Sequence, residues 1–132
     1  MRSKILSSLA VIIFFPFLAL AQDNPGLTVE DIRICTSVED RHPLGADTSF
    51  AGDVGHLYCF TKLSGDRDYA TLYHVWYYKD REMLKVELNT KAKTWRTWST
   101  KQISAAWTGN WRVDVLSSDG NVLGSIEFTV RE

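Results

Sequence analysis

From Ile32 to Arg131 apolar and polar residues alternate with period two in one segment after another, and turn-forming residues separate the segments. A period of two places successive side chains on opposite faces of an extended strand, so the chain is constrained to a series of short, half-buried strands. The last segment is the clearest: Val122, Gly124, Ile126, Phe128 and Val130 fall on one face, and Leu123, Ser125, Glu127, Thr129 and Arg131 on the other. Before it, Trp111, Val113 and Val115 alternate with Arg112 and Asp114. Ser118-Asp119-Gly120-Asn121 then supplies the Asp-Gly of a tight hairpin, so these two strands are expected to pair antiparallel. Upstream, Met83 to Asn89 sets Leu84, Val86 and Leu88 against Lys85 and Glu87, and the polar turn Lys79 to Glu82 joins it to an aromatic strand, Thr71 to Tyr78. In that strand Leu72, His74, Trp76 and Tyr78 oppose Tyr73, Val75 and Tyr77. With both faces largely apolar, it belongs in the middle of a sheet, or with one face in the core and the other in an aromatic surface. Ile32 to Val38 and Gly55 to Leu63 read as the first strands, with Asp40 to Gly52 as a loop between them. Only Lys101 to Trp107 offers even a short helical turn. The fold class is all-β, and about seven strands without internal repeats favour a two-sheet antiparallel sandwich of immunoglobulin-like type over a barrel.

Residues 1–21 carry a basic start (Arg2, Lys4), an apolar stretch from Ile5 to Leu20 and the small-residue signal Ala19-Leu20-Ala21, which is the pattern of a cleavable secretory signal peptide. The apolar part is shorter than the roughly 20 residues a bilayer span needs and contains Pro16. No stable membrane insertion is therefore expected after cleavage behind Ala21, and the product is expected to be periplasmic or secreted. Removing 21 of the 132 residues leaves 111, enough for one core and not two: a short leader, 22–31, and one sandwich domain, 32–131. Without Arg2 and Lys4 the 15 Lys and Arg fall to 13 against 16 Asp and Glu, a net charge near −3. That balance argues against nucleic acid as a partner, because such binding rests on an excess of cations.

Cys35 and Cys59 would meet an oxidising compartment, and a disulfide between them is expected. Closing a loop of about 25 residues would stabilise the fold by roughly 3.5 kcal/mol. Two separately buried thiols are the alternative, since free Cys behaves as a small apolar residue. There is no Cys-x-x-Cys, and His42, His56 and His74 form no His-x-x-x-His or His-x-His pair, so neither a metal site nor another cofactor is expected.

The costly side chains cluster in three strings: His74-Val75-Trp76, Trp95-Arg96-Thr97-Trp98-Ser99 and Gly109-Asn110-Trp111-Arg112-Val113. Trp76 and Trp111 are read as structural core. His74, on the same strand face as Trp76, is either a binding residue or a core histidine bonded to a backbone carbonyl. Alternation sends Trp95, Thr97 and Ser99 one way and Arg96, Trp98 and Thr100 the other, so only one Trp of this pair is core. The other sits on a surface with a guanidinium beside it, suited to cation–π stacking and to grasping carboxylates or sugar hydroxyls, or serving only to cover apolar area. Arg112 is a candidate second cation, and Trp107 either caps the core or walls a groove with Trp98. The candidate binding residues are thus His74, Trp95, Arg96, Trp98, Ser99 and Arg112. A catalytic triad from Ser99, His74 and an Asp lacks a Gly-x-Ser-x-Gly elbow and a glycine-rich oxyanion loop. Carboxylate pairs such as Asp66 and Asp68 lie in turn-like segments where Asp is ordinary.

These strings, in this order and spacing, resemble the bacterial domain of unknown function 2914, whose pattern is His-x-Trp, then Trp-Arg-Thr-x-Ser, then Gly-x-Trp-Arg-Val. The resemblance runs from about Ile32 to Val130 and extends to Asp40-Arg41-His42-Pro43 and Tyr58-Cys59-Phe60-Thr61. It implies a module of bacterial envelope or membrane proteins, and it carries over His74, Trp76, Trp95, Arg96, Ser99, Trp111 and Arg112 as motif residues without assigning a role. The expected function is an exported, non-enzymatic binding or interaction module of the cell envelope, its partner an envelope protein or a glycan. Two rival readings are a small exported hydrolase using His74 and Ser99, and a purely structural domain of an envelope assembly.

Overall fold

The computed structural model describes residues 26–132, so the expected signal, residues 1–21, and the start of the leader lie outside the described residues. Those residues form ten strands and no helix: β1 (Thr28–Cys35), β2 (Ser37–Glu39), β3 (His42–Leu44), β4 (Ser49–Ala51), β5 (Gly55–Ser64), β6 (Ala70–Tyr78), β7 (Arg81–Thr90), β8 (Thr94–Ile103), β9 (Gly109–Ser117) and β10 (Val122–Arg131). Seven of these, β1 and β5 to β10, correspond to the alternating segments. The other three are three residues long, too short for alternation to register: β3 and β4 fall in the expected loop, and β2 takes up the end of the expected first strand, which breaks after Cys35. β1 starts at Thr28 rather than Ile32, because Thr28 and Val29 already pair with Ser64 and Leu63.

The long strands make two sheets, a three-stranded one in the order β1-β5-β8 and a five-stranded one in the order β4-β10-β9-β6-β7. All their pairings are antiparallel except that of β4, which runs parallel to β10. Leaving β4 aside, the seven strands divide as in immunoglobulin-like sandwiches, first, second and fifth against third, fourth, sixth and seventh. The core lies between the sheets. Ile34, Leu57, Cys59 and Ile103 from one side meet Trp76, Trp111, Val113, Phe128 and Val130 from the other, with Phe50 of β4 closing one edge. A second cluster of Leu27, Leu63, Ala70, Leu72 and Val115 continues the core toward the other end. Both are built from the inward positions that alternation picks out. Alternation slips at three bulges: between Val122 and Gly124 of β10, which lets Leu123 pack on the core and leaves Val122 exposed; between Val29 and Asp31 of β1, where Val29 and Ile32 both reach the core; and at the start of β7, where Met83 and Leu84 both do.

Three tight turns set the strand ends. Asp40-Arg41 and Lys79-Asp80 both have positive φ (52° and 61°; 47° and 64°), the two-residue type I′ geometry whose twist suits a hairpin. Between β9 and β10, Gly120 at φ 84° donates its N–H to the Ser117 carbonyl, and the Ser117 N–H donates to the Asn121 carbonyl. The hairpin expected from Asp119-Gly120 forms, with β9 and β10 antiparallel.

The expected disulfide does not form, and both cysteines are free and buried. The reason is register. Cys59 pairs with Ile34, and Cys35 pairs with Tyr58, so the two are one residue out of step on neighbouring strands. Successive residues leave a strand on opposite faces, which sends Cys59 into the core and Cys35 to the other side of the sheet. There Cys35 and Phe60 are buried although they face away from the core, beneath the β2–β3 hairpin that packs on β1 and β5.

Candidate functional site

Alternation puts His74, Trp76 and Ser99 on inward faces, and the structure buries all three, at 0%, 0% and 5% exposure. His74 Nδ1 lies 2.7 Å from Ser99 Oγ, and its Nε2 lies 2.9 Å from Thr61 Oγ1. Trp76 Nε1 donates to the same Ser99 Oγ at 3.0 Å. A neutral imidazole satisfies every group: the Ser99 hydroxyl donates to Nδ1, and Nε2–H donates to Thr61. Desolvation lowers the His74 pKa to about 4, so the ring stays uncharged. His74 and Ser99 therefore do not belong to a surface that meets a ligand. They tie β6 to β8 across the core, and the His74 partners are side-chain hydroxyls, not the backbone carbonyl expected from sequence. Burial also pushes the Cys59 thiol up, leaving it an inert core group beside Ser99, its cross-strand neighbour.

The other residues of the β8 string do reach the surface. Trp98 is 36% exposed and lies opposite Phe60, on the outer face of the three-stranded sheet, while Arg96 lies opposite Lys62 on that same face. The expected guanidinium–indole pair exists with a different membership. Arg41, from the β2–β3 turn, stacks over Trp95 at 4.5 Å. Among the described residues neither Arg41 nor Arg96 has an ion-pair partner, whereas Lys62 is held by Glu30 and Arg33 by Asp31. The edge strand β8 thus carries two indoles on opposite faces, Trp98 with Arg96 on the outer one and Trp95, under Arg41, on the other.

Arg112 lies elsewhere, on the outer face of the five-stranded sheet. It pairs in register with Tyr77 on β6 and Glu127 on β10, and its guanidinium stacks 4.4 Å over the Tyr77 ring. Its Nη1 donates to Asp80 at 2.9 Å and its Nε to Asp114 at 3.0 Å, while the Ser125 hydroxyl donates to the same Asp114 oxygen. A groove of about 710 Å³ opens here, its lining including Tyr77, the Lys79-Asp80 turn, Asn110, Arg112, Glu127 and Thr129. The Lys79 N–H donates to the Asn110 carbonyl at 3.0 Å, which fixes that turn to β9. Trp107 belongs to packing: it meets Tyr78 edge-on at 5.1 Å, and its carbonyl accepts the Trp111 indole N–H.

Of the six candidate binding residues, then, two are in the core, Arg96 and Trp98 share the outer face of β8, Trp95 lies on the other face of that strand, and Arg112 sits on the outer face of the other sheet. Arg41 and the Tyr77-Asp80-Glu127 group were not singled out from sequence. Their strings are visible in the chain, but their places follow from which strands pair, and alternation does not encode that.

The fold and these surfaces define a small immunoglobulin-like sandwich with outward-facing aromatic and charged groups. Residues 69–130, from the end of the β5–β6 connection into β10, match the family profile described as "Protein of unknown function (DUF2914)". The comparison with curated proteins gives no match. Among solved structures, a beta-glucosidase from Listeria innocua in complex with glucose is similar at 11% identity and a TM-score of 0.45, over 80% of this chain and 16% of that one. A Se-Met labelled beta-glucosidase from Kluyveromyces marxianus is similar at 12% identity and a TM-score of 0.45, over 80% of this chain and 14% of that one.

Proposed function

We propose that this chain is a non-enzymatic binding or interaction module of the bacterial cell envelope, exported by its N-terminal signal, and that it meets an envelope protein or glycan through the β8 surface. The observation that carries this reading is the exposed Trp98 with Arg96 on the same outer face of β8 and, among the described residues, no carboxylate paired to that guanidinium. Exposed Trp and Arg are the residue types that dominate binding hot spots, and an unpaired guanidinium favours a partner presenting carboxylates or other acceptors. The hydrolase reading loses its residues, because His74 and Ser99 saturate each other inside the core.

The test is a binding panel of peptidoglycan fragments, polysaccharides and envelope extract, run with the wild-type chain, Trp98→Ala and Arg96→Ala. The expected result is a bound component whose affinity falls at least tenfold, about 1.4 kcal/mol, in each variant. A panel without any bound component, or one held equally by the variants, would overturn the reading.

A further inference from the structure

The groove on the five-stranded sheet is separate from the β8 surface, and its chemistry is different. Its charged groups are already balanced against one another. Arg112 is committed to Asp80 and Asp114 and stacked on Tyr77, so it is a fixed wall and not a free cation. What remains uncommitted is mixed. Glu127 and the second oxygen of Asp80 accept, the Asn110 amide donates and the Thr129 hydroxyl does both, while the Lys79 ammonium lies 5.2 Å over the Tyr78 ring. An anionic ligand would face two carboxylates, Asp80 and Glu127. A cationic one would face Lys79 and Arg112. A ligand that carries both donors and acceptors without net charge satisfies both sets, as the hydroxyls of a sugar do.

The array is also pre-organised. Lys79-Asp80 is locked in its type I′ turn and bonded to β9, while Asn110, Arg112, Glu127 and Thr129 stand on paired strands. Little is then lost in ordering the backbone on binding. The volume, about 710 Å³, lies within the range of small-ligand sites. We infer that this groove binds a short neutral oligosaccharide, with Glu127 and Asp80 accepting from its hydroxyls and Asn110 donating to them.

Isothermal titration of the folded chain with cellohexaose, maltohexaose and N-acetylchitohexaose, and with oligogalacturonate as the acidic counterpart, tests this. At least one neutral oligosaccharide should bind, oligogalacturonate should not, and Glu127→Gln and Asn110→Ala should each weaken binding at least tenfold. Both side chains are exposed, and thermal melts should show the variants folded as the wild type. Trp98→Ala, on the other sheet, should bind the oligosaccharide normally, so a failed β8 surface and a failed groove give different results. The inference is overturned if no neutral oligosaccharide binds at millimolar concentration, if the acidic one binds better, if either groove variant keeps its affinity, or if Trp98→Ala loses it.

Discussion

At the scale of single residues, His74 shows how a motif residue can be structural in origin. A histidine on an inward strand face must lose its charge, and it has done so: its pKa falls from an ordinary 6.5 to about 4, through burial. The unfolded chain binds a proton at this site below about pH 6.5, and the folded chain does so only below about pH 4. Stability from this group is therefore complete above pH 6.5 and is lost as pH falls through that window, by about 3 kcal/mol in all. Urea unfolding at pH 7 and pH 4.5 should show this loss in the wild type. His74→Phe, though less stable at pH 7 because Ser99 and Thr61 lose a partner, should show a smaller drop, and equal drops in the two proteins would contradict the buried neutral ring. The sequence placed His74 beside Trp76 correctly by parity. It did not give Ser99 and Thr61 as its partners, because those lie on the other sheet and meet it only once the sandwich closes.

At the scale of strands, register decides more than composition. Cys35 and Cys59 sit on neighbouring strands, as a bridge would require, yet the pairing of Cys59 with Ile34 turns them to opposite faces. Sequence spacing cannot distinguish this offset from the adjacent one, since a single-residue slip exchanges the faces of a whole strand. The native chain is accordingly expected to have the mass of the fully reduced form, with no loss of two protons. Iodoacetamide should alkylate neither thiol until denaturant is added; a native bridge would require β1 to pair one residue out of its present register. The same scale marks the limit of reading turns. Asp119-Gly120 announces its hairpin because glycine supplies the positive φ. The Lys79-Asp80 and Asp40-Arg41 turns adopt positive φ without glycine. The second was missed with the short β2–β3 hairpin it closes, and with it the source of the guanidinium over Trp95.

At the scale of the whole molecule, the sandwich separates residues that the sequence set side by side. The seven long strands and the inward residues were legible because burial on one face imposes a period of two. The proposed grouping of Arg112 with Trp98 was not, since it depends on which sheet each strand joins: β8 joins β5 while β9 joins β6 and β10, so the two side chains leave opposite outer faces. Trp76 lies between the sheets with no exposure, packed edge-on to Phe128 at 6.2 Å, and its removal leaves a cavity that two layers cannot close. Trp76→Ala should cost about 3–5 kcal/mol, a large share of the roughly 5–15 kcal/mol that holds a domain of this kind together. Trp98→Ala should cost about 1 kcal/mol, since its ring is already partly in water. Combining Trp98→Ala with Glu127→Gln should add their stability effects within about 0.5 kcal/mol, as expected for sites on opposite faces without a shared partner. Urea midpoints of the two single variants and the double variant measure this. A Trp98→Ala chain as unstable as Trp76→Ala, or a double variant well outside additivity, would mean that β8 packs as core and that the two outer faces are not independent surfaces.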